Sequence, residues 1–297
     1  MSESEEEHIL VSYLALTARI IFIAFEKIVV RMLGDRQGNI DYNLSATFLF
    51  FIFGAIILLP LAVFIPINNL IFLLPCYGSS MLYTIYSYSF VTSLATGETS
   101  LVTPIYSLNG LILLIFSFLF LAEPFTLTKI IGVILMIVGV SLLKNIGNPL
   151  YSIGYIITDI PSRMMFLAVT SQCLGRIIDK YYLPNVHPVT YSTILYFFIA
   201  FNLLVILLIR GKISTILKVF NKKPGLSITS GLINGFSYLF LLYAMQDIDL
   251  SLAEPLTNLS LVLTLLFSLL FFKENVIEKV PGSILILLGG WFLYLNF

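Results

Sequence analysis

Residues 100–123 read SLVTPIYSLNGLILLIFSFLFLAE, and residues 251–274 read SLAEPLTNLSLVLTLLFSLLFFKE. Laid over one another at an offset of 151 residues, they place Pro104 on Pro255, Phe116-Ser117 on Phe267-Ser268, Phe120 on Phe271 and Glu123 on Glu274. After one gap, Gly132 and Gly139 fall on Gly282 and Gly289. Leucines and phenylalanines coincide easily in an apolar chain. A proline, a serine, a glutamate and two glycines in register do not, so the chain reads as a duplication.

Composition says what was duplicated. Of 297 residues, 59% are hydrophobic and only 11% charged, where a soluble domain carries about 25% charged residues. Mean hydropathy is +1.00. Runs of about 20 apolar residues, enough to cross a bilayer, fall at 9–32, 44–65, 69–92, 99–121, 127–146, 163–183, 189–209, 225–246, 250–272 and 280–297. The predicted fold is all-α and integral to the membrane, with ten transmembrane helices in two five-helix repeats. The expected organisation is a polar tail at 1–8, a first repeat at 9–146, a connector at 147–162 and a second repeat at 163–297. The tail lacks a basic n-region and cleavage site, so the first apolar run is expected to stay in the mature protein.

Five is an odd number, so the second repeat enters the membrane with reversed polarity. Inverted repeats of this kind place a substrate site near the midplane and give two related conformations, one open to each side. The expectation is a secondary transporter working by alternating access.

Other chemistries find little support. Formal net charge is zero, which gives no reason to expect nucleic acid. There is no HExxH, CxxC, Walker or Asp-rich diphosphate motif, so no metal, cofactor or enzyme activity is expected. Cys76 and Cys173 lie in apolar stretches and read as core residues. An integral-membrane enzyme would need convergent acids or histidines at one face, and a sensor or scaffold a soluble domain or long basic tail; neither occurs.

The repeated stretches resemble the EamA-type family of the drug/metabolite transporter superfamily. That family carries, in each half, a proline-centred span closed by a glutamate and a following span with two spaced glycines. Here these read TPIYSLNG…FLFLAEPFTLTKIIGVILMIVGV and AEPLTNLS…LLFFKENVIEKVPGSILILLGG. Glycine, usual before the closing glutamate, is replaced by Ala122 and Lys273. The resemblance implies export or exchange of a small metabolite, such as an amino acid, with cytoplasmic termini. The charge count disagrees on the termini: Arg31, Arg36, Lys144, Arg210, Lys212, Lys218, Lys222, Lys223 and Lys273 follow odd-numbered spans, which puts both ends outside the cytoplasm. The expected location is the plasma membrane, and the expected partners are the lipid bilayer, a small-molecule substrate, a proton or other coupling ion, and a second copy in a homodimer.

An ionisable group inside hydrocarbon costs about 2.5 kcal/mol or more, so each needs a partner or a cavity. Arg19 and Arg176, near the middle of the first and sixth spans, read as cavity-facing. Glu26-Lys27 and Asp179-Lys180 occupy similar places in the two halves and read either as charge pairs or as snorkelling groups that mark helix ends. Arg176, Asp179 and Lys180 are expected on one helix face. Glu254, before Pro255, reads as a substrate- or proton-binding carboxylate, or else as a cap on its own helix. Thr257 and Asn258 extend it into a polar stripe, matched in the first copy by Thr103, Tyr106 and Ser107. Tyr83 and Tyr86, with Asn234 and Tyr238 in the second copy, suit an amphipathic solute. Glu123 and Glu274 read as structural anchors, as do Pro104 and Pro255. Gly132, Gly139, Gly282 and Gly289 read as close-packing positions, at the periphery or at a dimer contact.

Overall fold

The computed structural model describes residues 3–66, 70–121, 127–143, 154, 158–183, 186–248 and 256–292. Within them the regular structure is helical: α1 (Glu3–Leu33), α2 (Ile40–Ala62), α3 (Leu73–Thr96), α4 (Thr99–Tyr106), α5 (Asn109–Leu121), α6 (Leu127–Ser141), α7 (Ile160–Tyr182), α8 (Pro188–Ile209), α9 (Ser214–Lys222), α10 (Pro224–Asp247), α11 (Ser260–Phe272) and α12 (Val280–Phe292). Helix starts follow ordinary capping chemistry. Asn39 accepts from the Tyr42 amide ahead of α2, Asp159 from Ser162 ahead of α7, and the His187 ring from Val189 ahead of α8. Residues of the expected polar tail from Glu3 onward join α1.

Helices α2, α8 and α10 are long and apolar enough to cross a membrane by length and composition. α1, α3 and α7 have the length, at 31, 24 and 23 residues, but are more polar because they carry the buried groups of the centre. Alongside an apolar core, the burial pattern departs from that of a soluble protein. Phe64, Leu74 and Ile209 are more than three-quarters exposed, while Arg19, Glu26, Lys27, Arg176 and Asp179 are buried with a large set of serines and threonines. Such a surface is suited to lipid, and such an interior to a polar path.

Packing between the halves is reciprocal. α1 packs most extensively on α10, and α7, its counterpart in the second half, packs most extensively on α3, the counterpart of α10. α2 and α8 face each other, and so do α6 and α12. In the last pair backbones touch. A Cβ on Gly139 would lie 2.7 Å from the Gly282 carbonyl oxygen, and one on Gly289 would lie 2.6 Å from that of Gly132. The glycines read as close-packing positions meet one another within one chain, on a helix pair that also carries exposed apolar side chains such as Ile134 and Trp291.

The fourth and ninth apolar runs, expected as continuous helices, are broken at equivalent places. α4 ends at a turn over Ser107 and Leu108, where Leu108 N bonds Ile105 O at 3.1 Å. The second copy turns at Leu259, whose N bonds Leu256 O at 3.1 Å. Both are tightened i→i+3 bonds, and Leu259 lies 151 residues after Leu108, the offset of the repeat. In the first copy Pro104 lies inside α4 and brings no amide hydrogen. Pro255 lies outside the described residues, as do Glu254 and Glu123.

α9 was not expected; residues 210–224 read as a loop. Ile216, Val219 and Phe220, at i, i+3 and i+4, give it an apolar face that packs on α2, with Phe220 stacked on Phe53 at 5.7 Å.

Candidate functional site: a polar chamber between the halves

The central cavity is walled by helices of both repeats. α1 supplies Arg19 and Glu26, α7 supplies Gln172 and Arg176, α3 supplies Tyr83 and Tyr86, and α10 supplies Asn234 and Tyr238. Phe51 of α2 and Leu195 and Tyr196 of α8 complete it. Each helix of one half is thus answered by its counterpart in the other. The space left is narrow, on the scale of one or two water molecules.

On one side Arg19 donates to Ser237, and its guanidinium is 3.9 Å from Glu26. This pair is stretched. Lys27 turns away from its neighbour and places its ammonium 4.7 Å from the centroid of the Tyr106 ring. On the other side Asp179 is enclosed by four hydroxyls. Its Oδ1 accepts from Ser79 at 2.7 Å and Tyr191 at 2.6 Å, and its Oδ2 from Tyr83 at 2.6 Å and Tyr238 at 2.7 Å. Tyr196 donates to Asn234 at 2.8 Å and stacks on Tyr238 with centroids 5.6 Å apart.

Of the residues singled out in the sequence, Arg19, Tyr83, Tyr86, Arg176, Asn234 and Tyr238 meet at this cavity, with Glu26 beside them. Thr103, Tyr106, Ser107, Thr257 and Asn258 are buried but do not line it. They belong to the layer where the broken helices cross. Gln172 links the layers by donating to the Tyr106 hydroxyl at 3.0 Å. Lys180 departs from expectation: it is exposed, whereas Arg176 and Asp179 are buried, so it does not join them inside the bundle. Asp179 takes its described hydrogen bonds from hydroxyls rather than from Lys180.

Phe51, Gln172, Leu195 and Tyr196 were not singled out. The only hint in the sequence was polarity: Gln172 and Tyr196 interrupt otherwise apolar runs.

Four polar atoms of the lining are buried without a hydrogen-bond partner among the described residues: Arg19 Nε, Asn234 Nδ2, Glu26 Oε2 and Gln172 Oε1. Two are donors and two acceptors. A buried polar group left unmet costs about 1–3 kcal/mol, so the wall offers hydrogen bonds of both kinds to a solute.

Glu274 sits elsewhere, at one end of the bundle. Its carboxylate accepts from the Thr99 amide at 3.0 Å and the Ser100 amide at 2.8 Å, the first turn of α4, and pairs with Arg31 of α1. It reaches them because Lys273 ends α11 in the left-handed conformation, at φ 55°. Glycine adopts that conformation without strain, which gives a physical reason for the glycine usual at this position. Lys279 pairs with Glu98 beside the cluster.

The chain is thus a two-repeat helical bundle with a polar chamber and an apolar exterior, and the comparisons identify the class of membrane transporter to which it belongs. The chain matches the model of the EamA-like transporter family at residues 10–144 and again at 162–295. It belongs to that family, within the drug/metabolite transporter superfamily, and is an integral membrane protein. A solved structure titled only "Crystal structure of protein" shares the fold, with TM-score 0.60 over 97% of this chain and 98% of that one, at 14% identity. No curated protein matches the sequence.

Proposed function

We propose that this protein is a secondary transporter of a small polar metabolite, an exporter or exchanger of amino-acid-like solutes, working by alternating access. In this reading residues 9–146 and 163–297 are inverted five-helix repeats, the two broken runs each cross the membrane once, and the chain crosses ten times. The observation that carries it is the chamber itself, built by counterpart helices of both halves and lined by buried groups of both charges. The reciprocal helix contacts support a twofold relation between the halves, since exchanging them maps α1·α10 onto α7·α3, and an odd number of spans in each half makes that relation an inversion. The four unmet donors and acceptors support a solute carrying both, and the tyrosine walls support one with an apolar part.

Arg19, Arg176 and the tyrosines would contact the solute, and Glu254 stays in this reading as a coupling carboxylate about one turn into the ninth span. The chamber is closed down in the present conformation, so each turnover opens it to one side and then the other. The plasma membrane is the proposed location.

Flux in proteoliposomes tests the proposal. Wild type should move labelled amino acids above background, and Arg19→Gln and Glu254→Gln should lower that flux at least tenfold. Background flux for wild type across a broad panel, with either ion gradient, would sink it.

A further inference from the structure

We propose that Asp179 is a proton-binding site of this protein, distinct from Glu254 and from the chamber's Glu26, and that proton uptake there loosens the wall of the chamber. The idea rests on the transport reading for its purpose, though not for its chemistry.

The observation is the convergence of four hydroxyls on one buried carboxylate. Ser79 and Tyr83 come from α3 in the first repeat, and Tyr191 and Tyr238 from α8 and α10 in the second. Asp179 therefore ties four helices together, counting its own. A carboxylate accepts at both oxygens through four lone-pair positions, and here all four are taken. A carboxylic acid is itself a donor and cannot keep four hydroxyls donating to it. Adding one proton forces at least one hydroxyl to turn over or let go.

The geometry selects which. The partners of Oδ2, Tyr83 and Tyr238, wall the chamber, while those of Oδ1, Ser79 and Tyr191, do not. A proton arriving from the chamber side meets Oδ2. Tyr83 is wedged on the backbone of α7, since a Cβ on Gly175 would stand 2.8 Å from its ring. Tyr238 lies in a stack with Tyr196 and can slide along it. Protonation of Oδ2 thus re-aims Tyr238 and frees α10 from α7, and the proton's departure restores the bond.

Other groups face this carboxylate. Arg176 lies one turn earlier on α7, Cys76 of α3 is a buried thiol, and Tyr196 of α8 stands behind Tyr238. None offers a second carboxylate, so Asp179 is the acid of this cluster among the described residues.

The test is pH-difference infrared spectroscopy of the full chain in lipid. Wild type should develop a protonated-carboxyl band and a tyrosine ring-band change with one midpoint, and Asp179→Asn should lack both. Tyr238→Phe keeps the acid and removes one donor to its anion. It should retain the carboxyl band, lose the tyrosine change, and move the midpoint about one pH unit toward alkaline. A carboxyl band that persists unchanged in Asp179→Asn overturns the site, as does a midpoint unmoved in Tyr238→Phe when Asp179→Asn does not fold. Flux separates this from the transport reading. The spectral titration without any amino-acid flux supports the proton site while transport fails; pH-driven flux equal in wild type and Asp179→Asn overturns the site while transport stands.

Discussion

Asn258 donates through Nδ2 to the carbonyl oxygen of Ser107 at 3.3 Å, and Ser107 is its own counterpart, 151 residues earlier in the duplicated register. The same nitrogen reaches Asn109 Oδ1 at 2.9 Å, and that oxygen also receives the Gly110 amide at 2.7 Å. A bond between a residue and its duplicate lies where the two copies cross. Both broken helices are therefore fastened to each other at their breaks.

That nitrogen touches two acceptors, so its chemistry matters more than its shape. Asn258→Ala should cost about 1–2 kcal/mol, the worth of lost hydrogen bonds in a buried setting. Asn258→Asp, nearly isosteric, should cost more, about 3 kcal/mol, because a carboxylate would face a carbonyl and an amide oxygen. Thermal unfolding in detergent decides it, and an Asp variant as stable as the Ala variant would refute this account.

The glycine contact between α6 and α12 should tolerate no side chain. Gly139→Leu is expected to destabilise by about 3 kcal/mol or to prevent folding, since even its Cβ overlaps the facing backbone. Gly78→Ala, in α3 with nothing within 4 Å of the added carbon, should be neutral or slightly stabilising. Comparable losses at the two positions would mean that the packing described is wrong.

At Lys273 a substitution should improve the protein. Lys273→Gly removes the cost of a left-handed lysine, about 1–2 kcal/mol, and adds some entropy to the unfolded chain, about 0.4–1 kcal/mol. The net gain should be between about 0 and about 1.6 kcal/mol in unfolding free energy, with a higher Tm. A lower Tm would show that the lysine side chain contributes more than its backbone costs.

Glu274 holds Arg31 and the first turn of α4 together. Glu274→Ala leaves a largely buried guanidinium unpaired and two amides uncapped, and should cost about 3–5 kcal/mol. Glu274→Gln keeps one acceptor and should lose less. In a double-mutant cycle with Arg31→Ala, the coupling energy should exceed 1 kcal/mol; a coupling near zero would reduce the pair to a bystander.

Lys223, in the link between α9 and α10, closes the end of α1 by donating to the carbonyls of Leu33 at 3.1 Å and Gly34 at 3.3 Å. Partial burial, and then the charge of Lys222, hold its pKa below the ordinary 10.5. The unfolded chain therefore binds this proton more tightly than the folded one, and stability should rise with pH between the lowered value and 10.5. Lys223→Met should flatten that part of the Tm–pH curve; an unchanged slope would assign the effect to other groups.

Much of this was readable in residues alone. Polarity marked Arg19 and Arg176 because an arginine inside an apolar run has few uses other than a cavity. The offset of 151 brought Ser107 and Asn258 into register before any distance was known. Asp179 was harder. Its neighbour Lys180 suggested a charge pair, but one position along a helix turns a side chain about 100°, and Lys180 ends up outside. The hydroxyls that do meet Asp179 come from three other helices, and no local spacing announces such a meeting. The breaks after Ser107 and before Ser260 were marked only by polar interruptions, Ser107 and Asn109 in one run and Thr257 and Asn258 in the other, which read as a stripe along a helix rather than as a turn.

The seam of four glycines also limits how this molecule can move. With carbonyl oxygens of α6 and α12 seated where side chains would stand, those helices interlock like gear teeth and cannot creep past each other by a fraction of a turn. Rearrangement of the remaining helices must swing about this junction as about a pivot.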